Sequence, residues 1–181
     1  MSGQLRLIAR RNVNTCVTTL QVQGDTGEFL IGSTAAGDTI THVSITFYLS
    51  PDPGPLTWSA DSGSVWSKPV DVGTTTVDGA PARMFRTTYA GSVSAHDGMT
   101  VVPGAVDFTT SQFTECDPLK VWVRRAASVN GIEGSSLVGP RNFFAPVAPE
   151  SSRRTMADGE ESEARTKKAP RHDEIVERHT A

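Results

Sequence analysis

Only two cysteines, Cys16 and Cys116, occur in 181 residues, far apart and with no CxxC pair beside either. Two thiols without closely spaced histidines cannot form a structural zinc site, so a zinc-stapled fold is excluded. Two free thiols, buried or half-buried, are the plain expectation, and a disulfide requires that the strands carrying them be neighbours. No apolar run approaches the roughly 18 residues needed to cross a bilayer. The opening MSGQLRLIARRNVNT also lacks the long apolar centre and small-residue cleavage site of a secretory signal. The expected location is therefore the cytoplasm or, for a protein released by lysis, a virus particle.

Motifs of catalysis are missing too. Neither GxxxxGK[ST] nor GxGxxG occurs, which removes the usual phosphate cradles, and no serine sits in a GxSxG frame. A surplus of positive charge is absent: the formal net charge is −3. Generic binding to nucleic acid needs clustered cations that displace counterions from phosphates, and here the basic residues of the body pair only at Arg10-Arg11 and Arg124-Arg125. Both pairs are expected to be solvated strand or loop ends.

Turn and strand chemistry is what the chain does contain. Sixteen Gly and eleven Pro, all but Gly159 and Pro170 in the body, favour many turns over long helices. The dominant apolar period is two. In 41–50, Val43, Ile45, Phe47 and Leu49 alternate with His42, Ser44, Thr46 and Tyr48, as in an antiparallel sheet with one wet face. In 119–125, Leu119, Val121 and Val123 alternate with Lys120, Trp122 and Arg124. A third strand is expected at 83–89, and weaker ones at 4–9, 13–22, 28–31, 99–102, 105–109 and 141–145. Asp78-Gly79 and Asn130-Gly131 are tight-turn signals. Eight or nine short strands at this spacing point to a sandwich or barrel.

Composition changes near Pro149. Residues 150–181 are nearly half charged and contain no aromatic residue. Such a segment buries too little apolar surface to offset the entropy of ordering and is expected to be disordered alone. Glu161/Arg165 and Glu163/Lys167 have the i,i+4 order that supports a helix near 158–168, by about 0.2–0.5 kcal/mol per pair.

The segment LKVWVRRA at 119–126, followed by SVNGIEGSSLVGPRNF, resembles the last hairpin of a fibronectin type III or immunoglobulin-like module. HVSITFYLSPDPG at 42–54 is similar to that family's early strand and Pro-rich loop. The resemblance covers about residues 38–147 in outline and implies an antiparallel sandwich, with no particular function attached, because sandwich modules host many roles. The expected fold is thus an all-β antiparallel sandwich, Ig-like or jelly-roll-like, over 1–149, with a disordered or partly helical charged tail over 150–181.

Candidate functional groups are few. His96-Asp97 could in principle serve a Ser-His-Asp site, but it precedes Gly98 in an apparent turn, where an Asp capping its own turn beside an exposed His is the ordinary arrangement. Asp52, Asp61, Asp71, Asp78 and Asp97 lie in expected loops without the concentrated oxygen run that Ca²⁺ requires. No cofactor and no metal is expected. Trp58 and Trp66 flank a Ser/Gly/Asp-rich stretch, and Trp122 faces away from Val121 and Val123. Each is either a packing residue or an exposed anchor for a sugar ring or a partner's pocket. The functional expectation is a non-enzymatic structural protein in a homo- or hetero-oligomeric assembly, most specifically a virion component such as a phage capsid, decoration or tail protein. Its C-terminal arm would touch neighbouring subunits, with no direct contact to nucleic acid or membrane. The alternative is a recognition module that binds carbohydrate or protein through the Trp58–Trp66 loop.

Overall fold

The computed structural model of the chain describes residues 5–24, 29–60, 64–145 and 174–180. Among them it forms thirteen strands: β1 (Leu5–Asn12), β2 (Val17–Gly24), β3 (Phe29–Gly32), β4 (Ile40–Ser50), β5 (Trp58–Ala60), β6 (Val70–Val77), β7 (Ala80–Thr88), β8 (Thr100–Val102), β9 (Asp107–Thr110), β10 (Phe113–Thr114), β11 (Leu119–Val129), β12 (Ile132–Phe143) and β13 (Glu174–Thr180). One sheet runs in the order β13-β1-β2-β9-β5, with β10 also beside β2. The second runs β12-β11-β4-β7-β6, and β3 pairs with β8 as a small third sheet. Each of these strand pairings is antiparallel. The chain is all-β, arranged as a sandwich. Among the described residues no helix is long and apolar enough to cross a membrane.

Period-two patterning explains the core. Val43, Ile45, Phe47 and Leu49 of β4 and Leu119, Val121 and Val123 of β11 point inward and are buried. They meet Leu5 and Leu7 of β1, Leu20 and Val22 of β2 and Phe108 of β9 from the facing sheet in one apolar cluster. Each fully buried Leu, Ile or Phe contributes about 1.5–3 kcal/mol by leaving water. Two hairpins fix the register of the second sheet. β6 and β7 turn at Asp78-Gly79 (φ 49° and 77°), and β11 and β12 turn at Asn130-Gly131 (φ 51° and 81°). These are the dipeptides that accept two consecutive left-handed residues.

The outer face of the second sheet has its own small cluster of Tyr48, Val77, Ala82 and Trp122. This is why Trp122 is buried although it faces away from the main core. Gly139 packs against the same place. A Cβ there would lie 2.9 Å from the Val121 carbonyl oxygen and 3.0 Å from Trp122 Cα.

Two expectations are corrected. The thiols are not free: Cys16 and Cys116 form a disulfide, with Cα atoms 5.0 Å apart. The reason is local. Cys16 precedes β2, Cys116 follows β10, and β10 pairs with β2 through Phe113↔Thr18 and Thr114↔Val17, a pairing extended by the Glu115 N–H donating to the Cys16 carbonyl at 3.0 Å. The end of the charged tail is neither disordered nor helical, since residues 174–180 form β13 on the edge of the first sheet. Edge pairing rests on main-chain hydrogen bonds and needs little apolar side-chain surface, so composition alone did not reveal it. The helix expected near 158–168 lies outside the described residues.

Candidate functional site

The β1 edge is the place where the charged arm meets the body. β13 lies antiparallel to β1 over seven partnered positions, from Arg6↔Thr180 through Arg10↔Val176 to Asn12↔Glu174. Along β1 the inward positions are Leu5, Leu7, Ala9 and Arg11, all buried, while Arg6 and Arg10 are exposed. Arg11 thus occupies a core-facing position at the end of an apolar row, and the expectation of two solvated arginines fails for it. It is 6% exposed.

Hydrogen bonds satisfy that guanidinium on several sides. Nε donates to Thr18 Oγ1 at 3.1 Å, Nη1 to the Cys116 carbonyl at 3.2 Å and Nη2 to the Asp117 carbonyl at 2.8 Å. Its carbon centre sits 4.1 Å from the centroid of the Phe144 ring. Burial lowers the Arg11 pKa, while the charges of Glu115, Asp117 and Glu177 pull it back up. Glu177 belongs to β13, and its Oε2 accepts the Phe144 N–H at 3.0 Å. One junction therefore links β1, the disulfide loop, the residue where the body ends and the docked arm. Sequence reasoning missed Arg11 as a buried group. The signal was present in its odd-numbered parity with Leu5, Leu7 and Ala9.

The three tryptophans offered as binding residues are packing residues. Trp58 is 6% exposed, stacks on Phe47 with ring centroids 5.6 Å apart and meets Phe85 edge-on at 5.5 Å. Trp66 is 3% exposed and contacts Tyr89 edge-on at 5.2 Å. Trp122 is 1% exposed and donates its Nε1–H to Asp78 Oδ2 at 2.9 Å. A ligand cannot stack on these rings without opening the sandwich.

Two grooves flank the β11–β12 hairpin. On the outer face a groove of about 310 Å³ is lined by His42, Ser44, Thr46, Arg86, Arg124 and Glu133. Arg86 donates to Thr46 Oγ1 at 3.3 Å, and Arg124 to Ser135 Oγ at 3.1 Å. Arg125 is half-buried and burial lowers its pKa, whereas the Arg124 side chain stays 40% exposed and pairs with the exposed Glu133 at 3.5 Å. On the inner face a groove of about 500 Å³ is lined largely by apolar groups, including Leu30, Ile31, Val129 and Ile132. His96 and Asp97 do not form a triad. Asp97 Oδ1 accepts the Ala36 N–H at 2.7 Å, and the His96 carbonyl accepts the Thr34 hydroxyl at 2.6 Å. Asp97 thus fastens a loop distant in sequence rather than capping its own turn. Among the described residues no three His, Cys, Asp or Glu side chains are grouped as metal ligands.

Comparison of the chain with protein-family models, with curated proteins and with solved structures returns no match.

Proposed function

We propose that this chain is a non-enzymatic structural protein that works as one copy among many in an assembly, a virion component being the most specific form, and that its C-terminal arm supplies the subunit contacts. The observation that carries this reading is the seven-position pairing of β13 with β1 at the end of a long charged connection. A segment poor in apolar groups has a way to bind here that composition does not limit: main-chain hydrogen bonding to a sheet edge. The Cys16–Cys116 disulfide fits a protein whose working life is spent outside a reducing cytosol.

Sedimentation of the full chain tests the proposal, compared with a variant carrying Val176→Pro and Glu177→Pro. One of two consecutive N–H groups on β13 must point at β1, so the double change removes a ladder bond in either register. The wild type should self-associate between about 20 µM and about 2 mM, an interval that brackets the millimolar effective concentration of a tethered segment, and the variant should stay monomeric. A wild type that is monomeric throughout, or a variant that associates equally well, would contradict it. The alternative of a carbohydrate- or protein-binding module using the Trp58–Trp66 loop loses its exposed anchors, because both indoles are buried.

A further inference from the structure

We infer that β13 is an exchangeable strand: in an assembly, the β1 edge of one copy is completed by residues 174–180 of a neighbouring copy. The inference rests on the assembly reading above and specifies its contact. Three observations support it.

First, the strand order places β13 beside β1 only, at the end of its sheet. The arm therefore docks as an outermost ribbon, and its arrival or departure leaves the β1-β2-β9-β5 order intact. Second, the link is long. Twenty-eight residues, 146–173, separate the last described residue of the body from β13. The covalent limit for that number is about 100 Å. A domain of about 150 residues has a radius of gyration near 15 Å, hence a width of roughly 40 Å. The covalent limit exceeds that width, so the link does not oblige an arm to choose its own β1. Third, the docking contacts are indifferent to which copy supplies the strand. The register, and the Glu177 carboxylate that accepts the Phe144 N–H beside Arg11, are met equally by a β13 from the same chain or from another.

Because the contacts are the same in both forms, concentration decides between them. A tethered segment sees its own site at an effective concentration on the order of 1 mM. At micromolar concentration each arm closes on its own body. When neighbours are packed above that level, as in a shell or tube of identical subunits, arms cross between copies and link them without any new surface. The occupant of the β1 edge is then a second copy of this chain.

Pairs of single-cysteine variants test the exchange. Arg10 and Val176 are cross-strand partners, and antiparallel partners have Cα separations that a disulfide can bridge. A chain carrying both Arg10→Cys and Val176→Cys should close an internal bond in dilute solution, which checks that the variants fold and that the register is correct. Arg10→Cys and Val176→Cys chains are then mixed in equal amounts and oxidised. A covalent heterodimer, identified by intact mass, should rise more than tenfold between about 20 µM and about 2 mM. Replacing the second chain by Glu133→Cys, a position on β12, should abolish it. If the internal bond forms and the chain self-associates, but no heterodimer appears at the higher concentration, strand exchange is overturned while the assembly reading survives. Absence of self-association as well would remove both.

Discussion

Trp58 and Trp122 are both almost fully buried, yet they should respond in opposite ways to the same replacement. Trimming an indole to a phenyl ring removes roughly 40 Å² of buried surface, about 1 kcal/mol at 25 cal/mol per Å². For Trp122 a second loss follows, because its Nε1–H bonds to the Asp78 carboxylate at 2.9 Å. Hydrogen bonds to charged groups contribute about 1.5–3 kcal/mol, and the low end applies because Asp78 is exposed and recovers water. Trp122→Phe should therefore cost about 2.5 kcal/mol. Trp58 Nε1 is buried with no hydrogen-bond partner among the described residues. An unpartnered buried donor costs about 1–3 kcal/mol, which Trp58→Phe removes along with the area. The second term equals or exceeds the first, so Trp58→Phe should leave stability unchanged or raise it by up to about 2 kcal/mol. Urea unfolding followed by far-ultraviolet circular dichroism gives both values, with unchanged slopes as the check on two-state behaviour. If the two variants agree to within about 0.5 kcal/mol, or Trp58→Phe is the costlier, the assignment of these indoles is refuted.

Three further perturbations probe other parts of the sandwich. Within β12, Gly139→Ala should destabilise by about 2–3 kcal/mol, because φ is 128° and the new Cβ meets backbone at 2.9 Å, whereas Gly134→Ala, whose nearest neighbour is 4.0 Å away, should be neutral within about 0.5 kcal/mol. Equal thermal shifts for the two would contradict the packing of β12 on Trp122. Replacing both cysteines by serine releases a closed loop with a sequence separation of 100, worth up to about 4.7 kcal/mol of chain entropy. The Arg11 bonds to the Cys116 and Asp117 carbonyls still hold the loop, so a loss of about 3 kcal/mol is expected, seen as a fall in Tm of roughly 10 °C. Burial pushes the Asp71 carboxyl up, but the hydrogen bond and charge of Arg83 and the Gly73 N–H together hold it below its usual range. A depressed carboxyl contributes stability above its unfolded pKa, near 4, and loses it as the pH falls through the folded value. The Tm difference between wild type and Asp71→Asn should therefore be steady from about pH 5 to 8 and narrow as the pH falls below the unfolded value near 4.

The strands legible in the sequence are those whose side chains alternate between core and solvent. β4 and β11 begin within a residue of where the pattern of 41–50 and 119–125 starts, and their apolar rows are the buried ones. The hairpin turns at Asp78-Gly79 and Asn130-Gly131 were legible because their backbone chemistry is local. Elements held mainly by backbone pairing were not. β6 reads VDVGTTTV, carries a register shift between Asp71 and Gly73 and buries only Val77. β12 extends to Ile132, well upstream of the expected 141–145, through residues that are almost all exposed. β13 is an edge strand in a charged tail. The disulfide depended on the β2–β10 pairing, a long-range fact that spacing in the sequence does not encode. The burial of Trp58 likewise comes from a three-residue strand beside β9, so its setting was invisible until the sheets were assembled.

Hydrogen exchange along β1 tests the docking of the arm most directly. If residues 174–180 complete that edge, the alternate β1 amides that face β13 should exchange slowly in the wild type. In the Val176→Pro/Glu177→Pro chain they should become at least tenfold faster, with the β11 amides unchanged. Equal exchange along β1 in the two proteins would mean that the arm does not close the edge, and the account of assembly built on it would fall.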